Sequence, residues 1–339
     1  MLAELAKKST DLVPTDLLAL KERGARLEAK KIAPATLKMY AQVTTAFNAW
    51  TAVNGFPSDP SDPSSVYGYL THLAGHQKIA TVRKIAAVLS VKAKEMGADS
   101  PLKNPRVVAL LQGLRRENAE KGIKQACRAA LPLEDLKKAL DTLDRQTFAG
   151  VRDAAILLLG FTGAMRRSEI VALDFDAATM ATENGLGDVR LVPEGLTIDI
   201  RKSKTDQTGK GAVVAIPFGS TLATCPVRAV QAWIEMLDLG GKINDGPLFR
   251  SVNRHGQIGG RLSDQIIADI VKGAAKAAGL DEKLISAHSL RAGCATQAAK
   301  RGLSDSKIKV LGRWKTNTFE RYIRHTTVWE DAPAAQLGL

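Results

Sequence analysis

Over the first 130 residues, apolar positions recur at helical spacing in stretches divided by strong breakers. Pro14-Thr15-Asp16 opens one predicted helix that runs towards Lys30, and Pro34-Ala35-Thr36 opens a second that ends near Asn54-Gly55. Phe56 to Ser65 carries Pro57, Pro60 and Pro63 and is predicted to be largely loop. A third helix follows to about Ala74, a fourth covers Lys78 to Met96, and Asn104-Pro105 opens a fifth that fades near Gly122. In the fourth, Val82, Ile85, Ala86 and Leu89 form the apolar stripe, leaving Arg83, Lys84, Lys92 and Lys94 largely off it.

The pattern changes after a basic stretch, Lys121 to Ala130, that is short of large apolar residues. A linker is placed there at residues 123–131, between a helical unit at 1–122 and a second unit at 132–339. In the second unit helices are predicted near 133–145, at 150–162 and from about 166. Two runs of β character, Leu196 to Arg201 and Ala212 to Pro217, bracket the polar turn Lys202 to Gly211 as a hairpin. Helices resume at Pro226 to Leu239 and Asp264 to Gly279, with three short ones after His288. The second unit reads as mixed α+β, mostly helical with a small antiparallel sheet. No internal repeat is visible.

Composition narrows the class. At 339 residues, 45% apolar and 24% charged, the chain is an ordinary globular protein of about two domains. No apolar run reaches the roughly 18 residues of a membrane span, and the N-terminus alternates Leu with charged residues rather than presenting a signal peptide. Cys127, Cys225 and Cys294 are too few and scattered for a disulfide framework or zinc site, which points to a reducing, cytoplasmic compartment. The net charge of +13 is uneven: +9 falls in residues 1–130 and +4 in the rest. Such an excess suits a polyanion, most simply nucleic acid, although a merely basic protein has the same balance.

Most chemical motifs are absent. Gly209-Lys210 has neither the following Ser or Thr nor the context of a phosphate loop. No Ser/His/Asp spacing or carboxylate pair stands out, and His288 and Cys294 lack further metal ligands nearby. What remains is cationic. In Thr162-Gly163-Ala164-Met165-Arg166-Arg167-Ser168-Glu169 two arginines begin an apolar helix, where free N–H groups and guanidinium favour an anion. His288-Ser289-Leu290-Arg291 sets an imidazole and a guanidinium three apart, on one helix face. Leu311-Gly312-Arg313-Trp314 precedes Tyr322, which is the single tyrosine of the second unit. Singly, each element also reads as an ordinary helix start or a packed ring.

In combination and in this order, Arg166, a hairpin-turn lysine, HxxR, LGRW and a tyrosine nine residues beyond Arg313 resemble the tyrosine recombinase (phage integrase) family. The resemblance covers essentially the whole chain, and length and helix order are most like its Cre-like members. It implies an N-terminal helical, SAM-like core-binding domain that grips DNA and a C-terminal catalytic domain. It also implies cleavage and rejoining of DNA through a covalent 3′-phosphotyrosyl link. On that footing Tyr322 is the nucleophile, Arg166 and Arg291 hold the scissile phosphate, and His288 assists proton transfer. Lys204, picked out over Lys202 or Lys210 by the turn Arg201 to Thr205, protonates the leaving 5′-hydroxyl. Glu169 supports neighbouring side chains, and no metal or other cofactor is expected.

One position departs from the family. Counting back nine from Tyr322 places Arg313 where most members have His, whereas the preceding segment aligns Trp314 with a Trp-bearing form. Both side chains can donate to a phosphate oxygen, and both stay as candidates. DNA contacts are expected from Arg83, Lys84 and Lys92 on the fourth helix, from Arg115, Arg116 and Lys121 on the fifth, and from Lys38 and Arg254. The implied partners are duplex DNA bearing inverted repeats and three further copies of the chain in a homotetramer, with Val328-Trp329 and Pro333 to Leu339 as a docking tail. The alternatives are a DNA-binding relative that has lost catalysis, a type IB topoisomerase and a telomere resolvase.

Overall fold

The computed structural model describes residues 17–29, 31–122, 129–175, 187–201, 211–242 and 246–323. Helix starts follow local chemistry. Helix α1 covers Leu17–Ala29 and α2 covers Pro34–Asn54, with Pro34 in the first turn, where its missing N–H costs nothing. Gly55 closes α2 at φ 68°, a left-handed cap suited to glycine. Helix α3 spans Pro63–Ala74, because the Asp62 carboxylate accepts from the Ser65 N–H at 2.8 Å and draws Pro63 into the first turn. The expected loop therefore ends three residues early. Helices α4 (Ile79–Glu95) and α5 (Pro105–Glu120) complete this set; Asn104 caps the latter by accepting from the Arg106 N–H at 2.9 Å. Phe47, Val66, Leu70, Val82, Leu89 and Val107 form the core that α2 to α5 share.

The chain divides into two compact units, Met1–Ala126 and Cys127–Leu339. The second is built on α7 (Phe148–Thr162), which follows α6 (Leu133–Asp141). Residues Ala154 to Leu159 of α7 are buried without a break, the mark of a helix covered on all sides. It packs against α9 (Pro226–Leu239) and α11 (Ala287–Lys300). Trp233 of α9 is fully buried, and its indole N–H donates to the Leu248 carbonyl at 2.7 Å. The last segments are α10 (Asp264–Ala277), α12 (Asp305–Gly312) and a single turn, α13 (Glu320–Ile323), while the five-residue α8 covers Arg167–Val171. At 14 residues α11 is longer than the short helix expected after His288.

The predicted hairpin is β3 (Gly195–Ile200) with β4 (Ala212–Pro217), antiparallel, pairing Ile198 with Val214. Four strands were not anticipated. β2 (Gly187–Val192) pairs antiparallel with β3, and β1 (Leu173–Phe175) pairs parallel with β2, so the four-stranded sheet is mixed. A second small sheet joins β5 (Arg250–Val252) to β6 (Ile258–Arg261). Leu196, Ile198 and Ile200 alternate into the core. Ala129–Leu131, at the end of the expected linker, lies along the second unit instead: the Leu131 N–H donates to the Ser289 carbonyl at 3.0 Å, and Leu131 is buried. Gly293 makes room, since a Cβ there would sit 2.0 Å from the Leu131 carbonyl oxygen. Among the described residues no helix is long and apolar enough to cross a membrane.

Candidate active site

Two chain segments remote in sequence meet at one carboxylate. The turn after α7 brings Arg166 to the N-cap of α8, and Glu169 in the first turn folds back on it. The Glu169 carboxylate accepts from the Arg166 backbone N–H at 2.9 Å and from its guanidinium at 2.5 Å. Its Oε2 also accepts from the Arg313 guanidinium at 2.8 Å. Glu169 is only 4% exposed. Burial alone would raise its pKa, but the charge of Arg313, the Arg166 N–H and the charge of Arg166 together hold it below 4.5. Glu169 thus stays ionised and ties Arg166 to Arg313.

Arg291, one turn into α11, is buried to 1% exposure. Its guanidinium donates to the carbonyls of Ala164 and Gly312, and its Cζ lies 4.4 Å from the Trp314 ring centroid. Arg291 is thus closed on protein acceptors, because a buried guanidinium must find partners and these two carbonyls supply them. Ala164 and Arg313 are the non-glycine residues at positive φ among those described, 44° and 56°. Both lie beside Arg291: the Ala164 carbonyl is its acceptor, and Arg313 follows Gly312, which supplies the other. Such backbone costs on the order of 1 kcal/mol per residue and persists only where its surroundings hold it.

The LGRW turn follows from this geometry. Gly312 ends α12 and is buried; a Cβ on it would lie 1.8 Å from Trp314 Cζ3, so glycine is required for the indole to fold over the helix end. Arg313 takes the left-handed cap, which turns its side chain back towards Glu169 and the Gly163 carbonyl, reached at 3.1 Å. Its Nε is buried without a hydrogen-bond partner. Trp314 then covers Arg291 and packs on Phe319 at 5.8 Å. The two candidates for the variable position thus do different things: Arg313 is bound inward, and Trp314 lies on the second arginine.

His288 stands in the first turn of α11 with an exposed edge. Ser289 of the same motif is structural, its hydroxyl accepting from the Ser286 N–H at 3.0 Å. Partial burial of the imidazole lowers its pKa below 6.5, and the charges of Arg291 and Arg166 lower it further. Tyr322 lies in α13, which packs on α11. Phe319, fully buried, and Ile323 pack with Ala295, Ala298 and Ile308, so the turn bearing Tyr322 is held on both sides.

Comparison with known proteins places this arrangement. Residues 130–327 match the model of the phage integrase family. The chain belongs to that family. It is 33% identical over 329 residues to an integrase/recombinase XerD homologue of Selenomonas ruminantium, covering 96% of this chain and 91% of the relative. To the recombinase Cre of Escherichia phage P1 it is 23% identical over 308 residues, 86% of this chain and 84% of that one. The Cre-like members suggested by helix order are thus the more distant of these two relatives. The lambda integrase tetramer bound to a Holliday junction shares the fold: TM-score 0.54, 16% identity, 94% of this chain and 80% of that one.

In this phage integrase family member the structure brings Arg166, Glu169, Arg291, Arg313 and Trp314 together, with His288 beside the arginines. Lys204 falls on residues 202–210, outside those described, as does the C-terminal tail. The expected DNA contacts separate. Arg83, Lys84 and Arg115 line one open depression of about 580 Å³ in the N-terminal unit. Lys92 pairs with Glu95 at 2.7 Å and lies 5.6 Å from the Tyr40 ring, and Lys121 pairs with Glu117. Lys38 and Arg116 are exposed on α2 and α5. Arg254 is exposed in the β5–β6 turn, its Nε donating to His255 at 3.1 Å. The carbonyls of Ala164 and Gly312 were missed from sequence, since a backbone acceptor leaves no residue-type signal.

Proposed function

We propose that this chain is a site-specific DNA recombinase that exchanges strands between two target sites through a covalent 3′-phosphotyrosyl intermediate. The observation that carries the reading is the packing of the Tyr322 turn on α11, the helix that presents His288 and Arg291, with Arg166 at the same cluster. Tyr322 attacks the scissile phosphorus and loses its proton to neutral His288. The bond to the 5′-oxygen breaks, and Lys204 protonates that oxygen. Arg166 and Arg291 donate to the non-bridging oxygens, where charge builds in the transition state; Arg291 exchanges its carbonyl acceptors for phosphate in doing so. The phosphodiester energy stays in the protein–DNA bond, so the steps require neither metal nor nucleotide.

The N-terminal and catalytic units hold duplex DNA bearing inverted repeats, using Arg83, Lys84, Arg115 and their neighbours on phosphates. Four copies assemble on two paired sites, in the bacterial cytoplasm where such DNA lies. The exposed Val213 and Val310 border an apolar groove of about 440 Å³ between β4 and α12, which the C-terminal segment of a neighbouring copy would cover.

A DNA duplex nicked beside the cleavage position loses the short 5′-hydroxyl strand after attack and traps the adduct. Wild type is expected to give a covalent protein–DNA band, and Tyr322→Phe none, with binding retained. Tight binding by wild type without any adduct would identify a relative that has lost catalysis. Relaxation of supercoiled DNA lacking a target would favour a topoisomerase, and hairpin-ended products a resolvase.

A further inference from the structure

We infer that the depression between α4 and α5 reads base edges, contacting an A·T pair through Gln112 in the major groove of duplex DNA. Its lining has two chemistries. Arg83, Lys84 and Arg115 supply cations, and none of them pairs with a carboxylate among the described residues. Between them lie Ala80 and Ala87 of α4, Val108 of α5 and the carboxamide of Gln112. Ala80, Lys84 and Ala87 are spaced i, i+4, i+7 on α4, and Val108, Gln112 and Arg115 are spaced the same way on α5. All six are exposed, so each helix presents a solvent-facing row to the depression. No acidic residue lines the depression.

Cations alone would suffice for phosphate, which offers only anionic oxygens. A neutral carboxamide and an apolar floor add nothing to that contact. They do match an adenine edge, whose N7 accepts and N6 donates, and the methyl group of the paired thymine. The short alanines let a base edge approach the backbone of α4, while the flanking arginines and lysine engage phosphates on either side. Lys92, Lys94 and Lys103 are not part of this surface. The inference rests on the DNA-recombining function proposed above and adds which residues choose the sequence.

The test is selection of bound duplexes from a random-sequence library by the full-length protein, wild type against Gln112→Ala. Wild type is expected to enrich a motif with an A·T pair preferred by about 5- to 150-fold at the position read by Gln112. The variant should lose that preference while keeping the rest of the motif and the salt dependence. Replacing the paired thymine by deoxyuridine, which removes only the methyl, should weaken wild-type binding about fourfold. An identical motif from the variant overturns the inference and leaves recombination standing. A wild-type protein that enriches no sequence overturns both. Because Gln112 is exposed, a circular-dichroism melt within a degree or two of wild type separates impaired reading from impaired folding.

Discussion

Arginine serves opposite ends in the two halves of this molecule. On α4 and α5, Arg83 and Arg115 are exposed around an open depression, with no carboxylate partner among the described residues. In the catalytic unit, Arg291 is almost wholly buried, and Arg313 and Arg166 are bound to one buried carboxylate. A guanidinium in water gives long-range attraction and salt-sensitive affinity. A guanidinium held by fixed acceptors gives a defined position, which a transition state needs and an encounter does not. The two populations are indistinguishable by counting charges; burial and partners separate them.

If that contrast is right, removing the carboxylate should damage the second unit most. Glu169→Ala leaves the Arg313 and Arg166 charges facing each other in a buried site. Breaking a buried pair from one side costs about 3–5 kcal/mol, read as a lowered denaturation midpoint of the full-length protein. The wild-type contribution has a pH signature. The folded pKa of Glu169 lies below 4.5, so its stabilisation is present above that value and is lost as pH falls through the folded pKa. A destabilisation below about 1 kcal/mol would show that the carboxylate bridges nothing of consequence.

The next effect is on rate. His288 has a folded pKa below 6.5, lowered by burial and by Arg291 and Arg166. In the window between those two values the unfolded chain binds more protons, so stability rises with pH there. The base form needed to take the Tyr322 proton is also retained to lower pH than for an ordinary histidine. Adduct formation on a nicked substrate should bend downward at a pH below that of an ordinary histidine. His288→Gln should slow it by about 10²- to 10⁴-fold, as expected for loss of a general base, and remove the bend. A bend at or above 6.5 in wild type would show that the neighbouring cations do not act on the imidazole.

How much of this could be read from the chain differs between the halves in the same way. Helix starts at Pro34, Asn104-Pro105 and Pro226 were legible because a cap or a proline acts within a few residues. The β3–β4 hairpin was legible because alternation is local. β1 was not: three residues carry no period, and pairing with β2 is a tertiary fact. HxxR and LGRW pointed to residues that the structure gathers in one cluster, but not to their states. Whether Arg291 is open or closed depends on the Ala164 carbonyl, 127 positions away, and the division of roles between Arg313 and Trp314 depends on a left-handed backbone that spacing does not encode.

The smallest expected effect is in the first unit, where the contrast predicts no structural cost at all. Arg115 is exposed, so Arg115→Ala removes no packing and leaves no buried partner. Unfolding should therefore move by less than about 0.5 kcal/mol. Binding should weaken by a similar factor on every duplex, and the slope of log affinity against log salt should fall by about one, as expected when one fewer phosphate is neutralised. Titrations at three salt concentrations, on the target and on an unrelated duplex, give both quantities. A loss of affinity on the target alone, with the slope unchanged, would mean that Arg115 touches a base. An unchanged slope with reduced stability would mean that this arginine, like those of the catalytic unit, is part of the fold.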